Sequence, residues 1–243
     1  MRVSRIHVPV PLAAGSEIVL PRQAGEHLTR VLRLEAGAPF TIFDGRGGEY
    51  AAQVSAVSRE VRARVLRHES IERESPLHIT LLQGVARGER MDLILQKATE
   101  LGVARIVPVL TERTIVKIDA KQRERKLEHW QAVVVSACEQ CGRNRVPEVA
   151  TPVALVDALP ALPAGGVRCL LAADGDEPLA HAARGSTSLA LLIGPEGGLA
   201  DDERQFARSH GFGSYRIGPR ILRTETAGLA AIATLQATAG DFS

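Results

Sequence analysis

Three stretches of the 243-residue chain end apolar runs with residues suited to holding a small molecule: Leu171-Ala172-Ala173-Asp174, LLIGPEGG (Leu191 to Gly198) and IGPRILRTETAGLA (Ile217 to Ala230). A glycine-rich turn after a buried strand commonly cradles phosphate on its backbone N–H groups. The middle stretch is a poor cradle of that kind. Pro195 has no N–H, and Glu196 sets a negative charge where a phosphate would sit. Neither G-x-G-x-x-G nor G-x-x-x-x-G-K-[ST] occurs, so dinucleotide and P-loop chemistry are excluded. What remains is a site for a neutral or cationic ligand that the backbone approaches closely. The competing account of the glycine pair is a tight turn that needs positive φ.

These stretches require strands to present them. Val167 to Ala173, Ser188 to Ile193 and Ser214 to Ile217 read as short buried strands, as do Leu77 to Val85 and Val103 to Leu110. Between them lie helical patterns: Glu89 to Leu101, stopped by Gly102; Lys121 to Cys141, with Leu127, Trp130, Val134, Ala137 and Cys141 on one stripe; segments near 177–183 and 201–210; and about Glu225 to Ala239. Alternation of this kind means a parallel sheet covered on both faces, and such sheets bind ligands beyond the carboxyl ends of their strands. The preceding region is different. Arg2 to Val10, Pro39 to Phe43, Glu49 to Val57 and Glu60 to Arg67 read as strands of a small β-rich unit, with Leu28, Val31 and Leu32 at helical spacing within Glu26 to Leu34. The polar run His68 to Pro76 separates the two, which gives domains 1–72 and 73–243.

Composition narrows the class. No apolar run reaches the length of a membrane span, and MRVSRIHVPVP lacks the apolar core of a secretory leader. Three cysteines are too few for a disulfide framework and fit a reducing cytoplasm. Cys138 and Cys141 form a C-x-x-C without a second pair, so packing explains them better than a metal or redox site. Residues 1–150 carry 23 Lys and Arg against 18 Asp and Glu, whereas 151–243 carry 7 against 10. The basic excess is thus confined to the first part, and a solvated surface explains it as well as a polyanion partner does. An aromatic content of 3% excludes a sheet of base-stacking rings.

The chain closely resembles the bacterial family of 16S ribosomal RNA uridine-N3 methyltransferases of the SPOUT superfamily. The resemblance rests on HLTRVLRL (His27 to Leu34), FDGRGGEY (Phe43 to Tyr50), QKATELGV (Gln96 to Val103), TER (Thr111 to Arg113), EQCGR (Glu139 to Arg143), LLIGPEGG and RILRTETA (Arg220 to Ala227), in that order over nearly the whole length. It implies a PUA-like β-barrel followed by an α/β methyltransferase domain with a C-terminal trefoil knot, acting as a homodimer. It also implies that S-adenosylmethionine, a sulfonium cation on a nucleoside without phosphates, sits against Leu171, Ala172, Ile193, Gly194, Pro195, Glu196, Gly197, Gly198, Ile217, Gly218, Leu222 and Arg223. Ribosomal RNA, or the small subunit, is the implied partner, with no metal and no membrane.

Methyl transfer to uracil N3 requires loss of its proton and stabilisation of charge on O2 and O4. Arg223 and Glu225 are the catalytic candidates, although a first-turn acid facing the helix dipole accounts for Glu225 equally well. Arg5, His27, Arg30, Arg33, Arg113, Glu139 and Arg143 are the expected RNA contacts; an exposed helix face and a Glu–Arg surface pair are the competing accounts. Two further functions compete with N3 methylation: ribose 2′-O-methylation of tRNA or rRNA by a SPOUT enzyme, and a non-catalytic RNA-binding role on the same fold.

Overall fold

The computed structural model describes residues 4–242, which fall into two compact units: the segment up to Glu74 together with Cys138–Val146, and Ser75–Ala137 together with the chain from Pro147. The first unit holds strands β1 (Arg5–His7), β2 (Glu17–Val19), β3 (Pro39–Phe43), β4 (Glu49–Val57) and β5 (Val61–Glu69), in the order β1-β3-β4-β5-β2. β1 runs parallel to β3, and the remaining pairs are antiparallel. Period-two alternation sends Phe40, Ile42, Ala52, Val54, Ala63 and Val65 into one core with Ile6 and Leu28. Register shifts at Ala51/Ala52 and Val54/Ala56 mark bulges, which bend a long strand and increase its twist.

The helical segment of this unit differs from the expected Glu26 to Leu34. Helix α1 (Arg22–Glu26) begins directly after Pro21, and the chain then widens into a π-type turn at His27–Val31 in which Leu32 N–H donates to His27 O. The early start follows from Pro21, which lacks the N–H that an α-helix entrance would leave unpaired. The wide turn ends at Arg33, at φ 55°.

The second unit is built on β6 (His78–Gly84), α2 (Glu89–Glu100), β7 (Arg105–Leu110), α3 (Ala120–Cys141), β8 (Glu148–Val149), β9 (Val153–Ala154), α4 (Leu155–Ala158), β10 (Val167–Leu171), β11 (Glu177–Pro178), β12 (Ser188–Ile193), α5 (Asp201–Ser209), β13 (Gly213–Arg216) and α6 (Thr224–Ala239). Its sheet is parallel throughout, ordered β11-β13-β10-β12-β6-β7-β8, with β9 also on β7. The central strands are apolar on both faces because helices cover both. α2 buries Met91, Ile94, Leu95 and Ala98 and ends at Gly102, whose φ of 85° lets the N–H groups of Gly102 and Val103 turn back to Thr99 and Ala98. The helix expected near 177–183 is instead the two-residue β11 and a 3₁₀ turn at Leu179–His181. Pro178 holds Glu177 in extended backbone and delays the turn. Among the described residues no helix is long and apolar enough to cross a membrane.

Candidate active site

The carboxyl ends of β10, β12 and β13 open into a cleft of about 720 Å³ within the second unit. Leu171 and Ala172 lie at the end of β10; Ile193, Gly194, Pro195, Glu196, Gly197 and Gly198 at the end of β12; Ile217, Leu222 and Arg223 come from the β13–α6 connection and Glu225 from the first turn of α6, and all line the cleft. Gly218 lies on the same connection at φ 61° but is not part of the lining. Three adjacent strand ends therefore bring the sequence-selected stretches together, as the β13-β10-β12 strand order requires.

Two networks hold the loop after β12. Beneath it, Thr224 Oγ1 donates to Gly194 O at 2.7 Å and accepts from Gln83 Nε2 at 3.0 Å. Gln83 is fully buried at the end of β6, and Gly84 beside it has no room for a side chain because Gly194 and Pro195 lie against it. At the rim, Glu196 Oε1 accepts from the Arg87 N–H and from Arg90 Nη1, both at 3.0 Å. Partial burial pushes the Glu196 carboxyl up, but the Arg87 N–H, its own N–H and the Arg90 guanidinium outweigh it and hold the group below its usual range. Arg90 Nε also stands 3.9 Å from Glu225 Oε1, while Glu225 Oε2 is buried without a hydrogen-bond partner. Asp174 at the mouth accepts from Arg204 at 2.7 Å, which keeps it ionised below the ordinary carboxylate range.

Sequence reading missed Gln83, Gly84 and Arg90 as parts of this site; it held Thr224 only within the stretch Ile217 to Ala230, and Arg204 enters through its pairing with Asp174. One signal was available, since Gln83 is a polar residue closing an otherwise apolar strand, LLQG. The other positions required knowing that β6 sits beside β12.

The expected RNA contacts divide. Arg113 lies at the cleft, donating to Gly197 O at 3.2 Å. His27, Arg30 and Arg33 lie on the first unit, His27 partly buried and the two arginines exposed. Arg5, Glu139 and Arg143 also belong to the first unit, but they do not form an open rim. The Arg5 guanidinium is buried against Glu49 and Asn144, and Arg143 is buried against Glu74. Glu139 accepts the His7 N–H at 2.9 Å, and burial raises its carboxyl, partly offset by that bond and by His27 and Arg5. The EQCGR segment packs into the first unit rather than staying on a helix surface. Cys138, the residue before it, is buried, which pushes its thiol up to about 12 and leaves it a thiol at neutral pH. No group of three potential metal ligands occurs among the described residues.

A model of the RNA methyltransferase domain matches residues 73–236, and a model of the RNA methyltransferase PUA domain matches residues 20–66. The Ribosomal RNA small subunit methyltransferase E of Buchnera aphidicola subsp. Schizaphis graminum is 30% identical over 243 residues, covering 100% of this chain and 99% of that one. The protein of the same name from Synechocystis sp. is 35% identical over 216 residues, 87% of this chain and 70% of the relative. Among solved structures, Ribosomal RNA small subunit methyltransferase E from Neisseria gonorrhoeae bound to S-adenosyl methionine superposes with a TM-score of 0.93 at 38% identity, over 100% of both chains. A putative methyltransferase from Legionella pneumophila in complex with the bound cofactor SAM gives 0.93 at 39%, again over 100% of both. Fold and cleft thus define an α/β methyltransferase unit with a PUA-like partner unit. The chain belongs to the RNA methyltransferase family.

Proposed function

We propose that the chain transfers a methyl group from S-adenosylmethionine to N3 of a uridine in small-subunit ribosomal RNA, as a cytoplasmic homodimer whose C-terminal segment is threaded as a trefoil knot. The observation that carries this reading is the cleft, in which three strand ends converge on a volume within the roughly 300–1,000 Å³ of small-molecule sites, without a phosphate-binding motif. Its residues fit the cofactor. A Cβ on Gly194 would press on the backbone of Gly198 and Leu199, and Gly198 holds φ at 68°, so main chain rather than side chains meets the ligand there. Asp174, Glu196 and Glu225 line the cleft beside five arginines, of which Arg90 pairs with Glu196 and Arg204 with Asp174.

In this reading Leu171, Ala172, Ile193 to Gly198, Ile217, Leu222 and Arg223 hold the cofactor, with Gly218 turning the chain between Ile217 and Leu222; the cofactor when bound supplies an electrophilic methyl group on a sulfonium. Glu225 Oε2 is a buried acceptor with no hydrogen-bond partner among the described residues, suited to taking the N3 proton. Arg223 has no carboxylate partner among the described residues and is suited to stabilising charge on a uracil oxygen. Arg113 at the cleft and His27, Arg30 and Arg33 on the first unit take RNA phosphates. The names of the relatives support the ribosomal substrate, and the S-adenosyl methionine bound in the two solved structures supports the cofactor.

Mass spectrometry of 16S rRNA nucleosides from cells lacking the protein tests the reading. The expected result is loss of 3-methyluridine that the intact gene restores. Loss of a 2′-O-methylated nucleoside in its place would make the enzyme a ribose methyltransferase, and an unchanged nucleoside profile would leave it without this activity.

A further inference from the structure

Ile221 is 88% exposed, more than any other large hydrophobic side chain among the described residues, and it lines the candidate active-site cleft. It stands on the β13–α6 connection in the sequence Arg220-Ile221-Leu222-Arg223. Its surroundings are cationic. Arg113, Arg220 and Arg223 line the same cleft, and none of them has a carboxylate partner among the described residues, whereas Arg90 and Arg204 are neutralised by Glu196 and Asp174. S-adenosylmethionine has no phosphate, and its single carboxylate does not account for three guanidiniums that lack a carboxylate partner. A phosphodiester strand does, and Arg is the side chain best matched to phosphate oxygens.

An apolar side chain thrust into solvent between such arginines has a use if the partner is a nucleic acid. N3 lies on the Watson–Crick edge of uracil, so a paired or stacked uridine does not present it to a methyl donor held at the bottom of a cleft. Enzymes that act on a base extrude it from its stack, and Ile, Leu, Phe or Met wedges commonly fill or open the step that is broken.

We propose that Ile221 is the wedge that enters the base stack of the substrate RNA and holds the target nucleotide out over the cleft, with Arg113 and Arg220 taking the phosphates on either side. This rests on the uridine-N3 reading above.

The test uses the full-length protein with 16S rRNA from cells lacking it, and compares wild type with Ile221→Ala, Ile221→Leu and Arg220→Gln. Ile221→Ala is expected to raise KM for RNA or lower kcat by about tenfold, the equivalent of losing one apolar contact at a stacked step. Ile221→Leu retains the bulk and is expected to restore the activity. Cofactor affinity by calorimetry and mass by sedimentation velocity are expected to match wild type in both. Arg220→Gln is expected to reduce the salt dependence of RNA binding. A second substrate, with abasic sites flanking the mapped uridine, has no stack to break, and on it Ile221→Ala is expected to act like wild type. Unchanged kinetics on the intact RNA would overturn the proposal. A matching loss of cofactor affinity would make Ile221 part of the cofactor wall, and a change of mass would assign it to contact between copies of the chain; either also overturns the wedge. If the wild-type protein itself leaves uridine N3 unmethylated, it is the underlying functional reading that fails.

Discussion

A Cβ built on Gly194 would lie 3.1 Å from the Cα and carbonyl carbon of Gly198, tighter than ordinary contact, whereas one on Gly198 meets nothing within 4 Å. The two glycines of one loop are therefore required for different reasons. Gly194 is required by close backbone approach, and Gly198 by its φ of 68°, which costs a non-glycine residue about 1–2 kcal/mol. Gly198→Ala is expected to lose roughly that much stability in denaturant unfolding and to keep most of its cofactor affinity. Gly198→Val adds branched carbon beside the cleft, and calorimetric titration with S-adenosylmethionine is expected to show affinity reduced at least about tenfold. The positive φ adds a stability loss as well. Wild-type affinity in the valine variant would move the cofactor away from this loop.

At the scale of elements, the turn from β6 into α2 supports the cleft from beneath. Gln83 donates to both Thr224 Oγ1 and Gly84 O, while its own Oε1 is buried without a partner. Gln83→Leu removes a useful donor and an unsatisfied acceptor together, so its net effect on stability is expected to stay within about 1 kcal/mol. Its effect on the Gly194 loop is different. Thr224 loses the donor that fixes its hydroxyl, and weaker cofactor binding is expected, read by the same titration against an unchanged unfolding midpoint. An unfolding midpoint that drops in step with affinity would make Gln83 a general core residue. The strand-end loops were legible because glycine, proline and a buried apolar run occur together in sequence. Gln83, Arg90 and the role of Thr224 were not, because their significance arises from β6 lying next to β12, a pairing of segments more than a hundred residues apart.

The last turn of α3 gives a second prediction at this scale, one that depends on pH. Burial raises the Glu139 carboxyl above its ordinary value, so ionisation is disfavoured in the folded protein. Such a group contributes stability below its unfolded value of 4.5 and loses it as pH rises through the folded value. Glu139→Gln keeps an acceptor for the His7 N–H and removes the buried charge. The variant is expected to melt at or above the wild-type temperature at pH 7 to 8, and this advantage is expected to disappear as the pH approaches the ordinary carboxylate range. A variant less stable than wild type at neutral pH would show that the charge on Glu139 is favourable where it lies.

At the scale of the whole molecule, chain order and spatial units do not coincide. Cys138–Val146 belongs by its contacts with the first unit, although the methyltransferase family match runs through it from 73 to 236. The charged run His68 to Pro76 reads as a linker, yet Glu72 and Glu74 within it pair with Arg145 and Arg143. What looks in sequence like a solvated charge run is half of an ionic seam whose other half lies some seventy residues on. Glu49 is the centre of that seam, accepting from Arg5, Arg73 and Asn144. Removing one side of the seam's buried pairs, Arg5–Glu49 and Arg143–Glu74, is costly, about 3–5 kcal/mol for a single broken pair, whereas the exposed Arg145–Glu72 pair adds little.

A chain that starts at Ser75 tests this arrangement. It retains every residue that lines the cleft, since all of them lie in the second unit. It loses Arg5, Glu49, Glu72 and Glu74, and with them the partners of Arg143, Asn144 and Arg145. Hydrogen exchange is therefore expected to show residues 138–146 and the last turn of α3 unprotected, with the sheet from β6 to β13 protected. The melting temperature is expected to fall, and binding of S-adenosylmethionine is expected to persist at the full-length affinity. Retained protection at 138–146 would mean that the seam does not hold that segment. Lost cofactor binding with an intact sheet would mean that the cleft needs the first unit for more than RNA, and the division of labour between the two units would have to be redrawn.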